Sequence, residues 1–118
     1  MKLWIDDVRP APEGYIWLKS VREALRFITA AENRNEIELI DLDHDAGDYA
    51  RDGGDYIGVL QELERLSRKV TYVNNVAFHN YWHGLFQKIA FRLHSMNPVG
   101  VANMRAIIER NGWKEIKL

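Results

Sequence analysis

Three short apolar runs in this chain each stop on titratable side chains, and that pattern limits the fold more than any other feature. Leu3-Trp4-Ile5 ends at Asp6-Asp7, Ile37 to Leu42 ends at Asp43-His44-Asp45, and Ile89 to Leu93 ends at His94-Ser95. Short continuous apolar runs of this kind read as buried strands. Tyr15 to Leu18 and Trp113 to Ile116 add two more. Helical patterns lie between them. Ser20 and Glu23 form a capping box, followed by Val21, Ala24, Leu25 and Ile28 on one face and an expected end near Glu32. Asp55 is placed to cap a second helix, with Tyr56, Val59, Leu60, Leu63 and Leu66 as its stripe. Asn97 caps a last helix, Pro98 suits its first position, Met104, Ile107 and Ile108 face inward, and Gly112 ends it. Strands alternating with helices predict an α/β domain over residues 1–118, with a mostly parallel five-stranded sheet and helices on both faces.

Composition removes several classes of function. The chain has no Cys, which excludes disulfide frameworks, thiolate zinc sites and thiol nucleophiles. No apolar run reaches the roughly 18 residues of a membrane span, and two carboxylates arrive too early for a signal peptide. The expectation is a soluble, cytoplasmic protein. The formal net charge of −1 excludes a strongly basic nucleic-acid binder on bulk charge. That figure hides a polarity. Residues 1–55 hold 13 acidic and 7 basic side chains, while residues 56–118 hold 4 acidic and 9 basic ones. All eight Asp residues fall in the first part, so a cation site belongs there and a phosphate-attracting surface in the second.

In open α/β sheets, ligands bind outside the carboxyl ends of the strands. The three strand ends deliver Asp6, Asp7, Asp43 and Asp45 with His44, His94 and Ser95 to one such edge. Carboxylate oxygens suit Mg²⁺ or Mn²⁺, and one of these acids could instead act as a nucleophile toward phosphorus. His44 and His94 are candidate general acids or bases. The turn from His94 through Ser95 and Asn97 to Gly100 is a strand-to-helix turn whose free N–H groups suit an anion. Arg9 follows the acidic pair in a loop stiffened by Pro10 and Pro12. It suits bidentate phosphate contact, or a salt bridge to the acids.

Two stretches are irregular. Only about eight residues separate the first two strands, too few for a helical crossover. An extended loop of that length still spans roughly 26–28 Å, so parallel and antiparallel pairings are both open. Parallel pairing puts Lys19 at the acidic edge. Residues 70–86 hold five of the 13 aromatics with His79 and His83. The histidines are four apart, but Asn80 stands where a zinc-type motif needs Glu. This stretch reads as a lid, a nucleobase-stacking surface, or a homodimer surface over 72–86.

The ordered motifs carry a resemblance. Leu3-Trp4-Ile5-Asp6-Asp7-Val8-Arg9-Pro10-Ala11-Pro12, then Leu42-Asp43-His44-Asp45 with Gly47-Asp48, then Gly54-Asp55, then His94-Ser95-Met96-Asn97-Pro98-Val99-Gly100 with Asn103-Met104, are similar to the cyclic-phosphate-processing receiver domain family. The resemblance implies a receiver-like, flavodoxin-type three-layer fold. It implies Asp6 and Asp7 as a metal-binding acidic pair and Asp43 at the phosphoacceptor position. Asp45 and His44 are additions, and His94 stands near where ordinary receivers keep Ser or Thr. Asp41 is a departure, since a small uncharged residue is expected there. The lysine that follows a receiver's last strand has no counterpart, and Lys19 is the candidate replacement.

The implied activity is that of a metal-dependent phosphoesterase on a cyclic or terminal phosphate of a nucleotide or RNA end. Asp6, Asp7, Asp43 and Asp45 would hold or support Mg²⁺ or Mn²⁺, and His44 and His94 would move protons. Arg9, Lys19, Ser95 and Asn97 would hold the phosphate. The competing readings are a non-enzymatic receiver-like binding module and a nucleotide- or RNA-end binder without chemistry.

Overall fold

A computed structural model describes residues 1–117. Strands β1 (Lys2–Ile5), β2 (Tyr15–Leu18), β3 (Leu39–Leu42), β6 (Ala90–Leu93) and β7 (Lys114–Glu115) form one sheet in the order β2-β1-β3-β6-β7. Every pairing in it is parallel. The connection, nine residues from 6 to 14, therefore carries a parallel pair. This sheet and its order give the expected receiver-like α/β architecture.

The helices are α1 (Val21–Thr29), α2 (Ile57–Ser67), α3 (Tyr81–Phe86) and α4 (Pro98–Arg110). Ser20 caps α1 by accepting from the Glu23 N–H at 3.0 Å, while Glu23 reaches back to the N–H of Lys19. Asn97 caps α4 by accepting from Gly100 N–H at 2.9 Å. Asp55 does not cap α2. Its carboxylate accepts from Ala46 N–H at 3.0 Å and pins the loop after β3, so α2 starts at Ile57 without a side-chain cap. Helix α1 also stops short of Glu32, at Thr29.

Leu3, Ile5, Ile40, Leu42 and Phe91 point from the sheet into one core, joined there by Val21, Ala24 and Ile28 of α1, Val59, Leu60 and Leu63 of α2, Phe86 of α3, and Met104, Ile107 and Ile108 of α4. The expectation of helices on both faces is corrected, since all four pack on this one face. On the opposite face the Pro-bearing loop between β1 and β2 stands in for a helix, anchored by the Trp4 indole N–H on the Arg9 carbonyl at 2.8 Å. Nine residues are too few to wind a helix and still return to the start of a parallel strand.

Strand register orders that opposite face into rows. Trp17, Trp4, Asp41 and Arg92 are paired neighbours in one row. Tyr15, Lys2, Leu39, Ala90 and Lys114 form the row below it. The backbone ladder runs one step past the strands, through Asp6 N–H to Leu18, Asp43 N–H to Ile5 and His94 N–H to Leu42. This puts Lys19, Asp6, Asp43 and His94 in a row at the carboxyl edge.

The irregular aromatic stretch resolves into a hairpin, β4 (Val70–Val73) and β5 (Val76–His79), followed by α3. Asn74 and Asn75 make its two-residue turn with φ of 50° and 65°, as a type I′ turn requires. No helix of the described residues is long and apolar enough to cross a membrane.

Candidate active site

Asp6 is fully buried, and both of its carboxylate oxygens have protein partners. One oxygen accepts from Val8 N–H at 3.0 Å and from Arg9 N–H at 2.9 Å. The other meets His94 Nε2 at 2.9 Å and Arg9 Nε at 3.3 Å. Burial opposes ionisation of Asp6, yet the donors from Arg9, Val8 and His94 outweigh it and hold the carboxyl below its ordinary range. Asp7 is pushed the other way, by burial and by the charges of Asp6 and Asp43. Carboxylate oxygens of Asp6, Asp7 and Asp43 all lie within 4.8 Å of one another. Gly47, at φ +54°, makes room for this group, because a Cβ there would sit 2.3 Å from Asp7 Oδ2. Burial first, and then the charges of Asp7, Asp6 and Asp43, push up the phenol of Tyr56, whose hydroxyl donates to the Lys19 carbonyl.

Of the two roles expected of Arg9, the salt bridge to the acids is present. Its guanidinium is 3.3 Å from Asp6 and 3.5 Å from Asp43, and donates to the His94 carbonyl at 3.2 Å. It stays half-exposed, so a phosphate can reach it. Lys19 lies in the same row but its ammonium sits over the Trp17 ring, 4.3 Å from the centroid. The Ser95 hydroxyl accepts from Asn97 N–H and shapes the turn.

His44 and His94 are held very differently. His94 is 7% exposed, with Nδ1 2.6 Å from Asp41 and Nε2 2.9 Å from Asp6. Its ring stacks on Trp4 at 3.8 Å and 4°. Both nitrogens face carboxylates, so His94 has none to offer a substrate. His44 instead uses only Nδ1, 2.7 Å from Asp45, with the Asn97 amide near both groups. Nε2 has no protein partner among the described residues. Gly100 permits this placement, since a Cβ there would fall 2.4 Å from the imidazole.

The residues therefore separate into two neighbouring groups. Asp6, Asp7 and Asp43 converge with Arg9 and His94. Asp45 is not among them: it pairs with His44, and together with Asp55 they form a second cluster. Sequence reasoning missed Asp41, Trp4, Gly47 and Gly100. Asp41 carried a signal, because a charge in mid-strand demands a buried partner. A cleft of about 840 Å³ between α1 and α2 contains none of these residues. The site is an open sheet edge.

The family model of the cyclic-phosphate processing receiver domain matches residues 1–110. The chain belongs to that family. No curated protein and no solved structure shows a significant match. As a receiver-like domain, the chain keeps the paired acids after β1 and the single acid after β3 that the resemblance implied. Its departure at Asp41 now has a physical account, as the buried partner of His94. The family description links the domain to the processing of cyclic phosphates.

Proposed function

We propose that this domain is a metal-dependent phosphoesterase acting on cyclic or terminal phosphates of nucleotides or RNA ends. The observation that supports this most is the convergence of three carboxylates within 4.8 Å at the carboxyl edge, with the Arg9 guanidinium against two of them. The donor set is all hard oxygen, and one arginine leaves three acids undercompensated, which fits Mg²⁺ or Mn²⁺. Asp6, Asp7 and Asp43 would hold the ion. Such a cation supplies charge neutralisation for the phosphoryl oxygens and acidifies bound water.

The chain's own residues account for the rest. Arg9 orients the phosphate through its fork of donors. Asp45 holds the His44 Nδ1 proton, which leaves Nε2 as the base. In ring opening, a water oxygen bonds to phosphorus as one ribose ester bond breaks. His44 Nε2 takes the water proton and returns it to the departing oxygen. His94 acts as a positioning residue that fixes Asp6, in place of the proton transfer first expected of it. The test is hydrolysis of 2′,3′-cyclic nucleotides with and without divalent metal. Asp43→Asn is expected to lose at least 100-fold in kcat and to abolish metal binding by calorimetry. Absence of turnover with either metal, together with unchanged metal binding in D43N, would sink the proposal. A stable phosphoaspartate at Asp43 after acetyl phosphate treatment would favour a signalling module instead.

We place the homodimer surface expected over 72–86 on the hairpin, residues 70–79. All eight strand residues are exposed, including Tyr72 at 70% and Phe78 at 52%. Two strands alone are marginal in water, and these carry no charge to guard their edges. Val73, Val76 and Phe78 share one face of this ribbon and are each about half exposed, and edge pairing with a second copy would extend that apolar face across four strands. Sedimentation velocity is expected to show a concentration-dependent dimer that Phe78→Glu abolishes. A wild-type protein that stays monomeric at all concentrations rules this out.

A further inference from the structure

The cleft of about 840 Å³ between α1 and α2 has a use that the acidic site does not absorb. Its lining positions recur every three or four residues, from Val21 to Thr29 and from Gly58 to Leu66. It therefore follows one face of each helix, over about 12 Å. The floor is apolar: Val21 and Leu25 of α1, Leu66 of α2 and Trp82 of α3. Leu25, Leu66 and Trp82 pack against the core but stay only partly buried. Arginines stand on both walls, Arg22 and Arg26 on α1 and Arg65 on α2. Arg34 adds a fourth cation, its guanidinium 5.4 Å from the Trp82 ring centroid. The one acid lining the cleft among the described residues is Glu62, and Arg65 already holds its carboxylate. Arg22 keeps an exposed contact with Asp52 at 3.4 Å. Arg26 has no carboxylate partner among the described residues, and it stands one turn from Arg22, where like charges repel.

We propose that this groove receives an acidic amphipathic helix of a partner protein. Such a helix presents apolar anchors at i, i+3 or i+4, and i+7, a span of about 10 Å that matches the floor. Acidic side chains on either side of that stripe then meet arginines on both walls, which is the charge the groove lacks. A small anionic ligand finds no cradle here. The uncharged polar side chains of the lining are Thr29 and Gln61; the Thr29 hydroxyl is spent on the Leu25 carbonyl at 2.7 Å, and Gln61 is exposed. Three of the four floor groups are aliphatic, which suits leucine-like anchors better than the flat faces of nucleobases.

The probe is a fluorescein-labelled helical peptide of about 14 residues, with leucines at i, i+3, i+4 and i+7 and glutamates flanking them. Fluorescence anisotropy against the full chain is expected to show binding at least tenfold tighter than that of the same peptide with lysines for glutamates, or with the leucine stripe scrambled. Added salt should weaken it. Arg26→Glu is expected to cost at least tenfold in affinity for the glutamate peptide and to improve binding of the lysine peptide, while the urea midpoint stays at the wild-type value. In amide and indole NMR spectra, the peptide should shift the Trp82 indole N–H, identified by its loss in Trp82→Phe, and leave those of Trp4 and Trp17 in place. Equal affinity for the glutamate and lysine peptides overturns the proposal, as does equal affinity for the scrambled stripe. Binding untouched by Arg26→Glu, or shifts at Trp4 and Trp17 in place of Trp82, does the same. A single-stranded oligouridylate that displaces the peptide and shifts Trp82 as strongly would make the groove a nucleic-acid surface and overturn it too. None of these readouts depends on turnover, so the proposal stands or falls apart from the phosphoesterase reading.

Discussion

Replacing Asp41 tests whether the buried Asp41-His94-Asp6 chain holds the site together. Asp41 is 0% exposed and His94 7%, so the 2.6 Å contact between them is screened little by water. Removing one partner of a buried charged pair typically costs about 3–5 kcal/mol. Part of that is returned here. Asp41 Oδ2 has no hydrogen-bond partner, so deleting the carboxylate relieves a desolvation cost of about 1–3 kcal/mol. The net expectation for Asp41→Ala is a loss of about 2 kcal/mol, or roughly 8 °C in Tm for a chain of this length. Asp41→Asn keeps the shape and an acceptor oxygen and should lose about half as much. Urea unfolding at pH 7 measures both. The decisive control is the double variant with His94→Ala. With no imidazole left to strand, its loss should fall short of the sum of the single variants by about 1–2 kcal/mol. Additivity within 0.5 kcal/mol would show that the two side chains do not act as a unit. The same D41A protein should bind Mg²⁺ more weakly, because His94, no longer held at Nδ1, orients Asp6 less firmly.

Two further outcomes follow from the geometry. Gly100→Ala should move His44 off its place against α4 and lower kcat on cyclic nucleotides at least tenfold while leaving Mg²⁺ binding at Asp6, Asp7 and Asp43 intact; an unchanged kcat would show that His44 is not the base. Glu64 is held at about 2, first by its hydrogen bonds to Arg110 and despite burial, with Asn111 adding a donor. Its folded value lies below the unfolded one, so it stabilises the fold fully above the ordinary glutamate range and loses that contribution as pH falls from about 4.5 toward 2. Urea midpoints of Glu64→Gln measured across that window should depend less on pH than those of the wild type, and parallel curves would refute the assignment.

Much of the fold could be read along the chain because its signals are local. A capping side chain and its N–H partner lie three residues apart, so Ser20 and Asn97 announced α1 and α4 correctly. The apolar runs ending at Asp6, Asp43 and His94 announced the three central strands and the edge on which their acids meet. Asp55 misled, because a carboxylate before a helix can cap it or bond elsewhere, and the Ala46 N–H across the loop took it. The hairpin was hidden by its lack of alternation, since neither of its faces is buried against the body.

By itself, then, the sequence determined where the strands of the main sheet lie and what chemistry stands at their ends, because periodicity, caps and turns act over a few residues. Tertiary structure alone decided that β2 runs parallel to β1, that the helices share one face, and that His94 is enclosed by Asp41, Asp6 and Trp4 while His44 keeps one nitrogen free. Those outcomes depend on strand register and on contacts between residues as far apart as Asp6 and His94. No local pattern encodes which of two histidines will be buried between carboxylates.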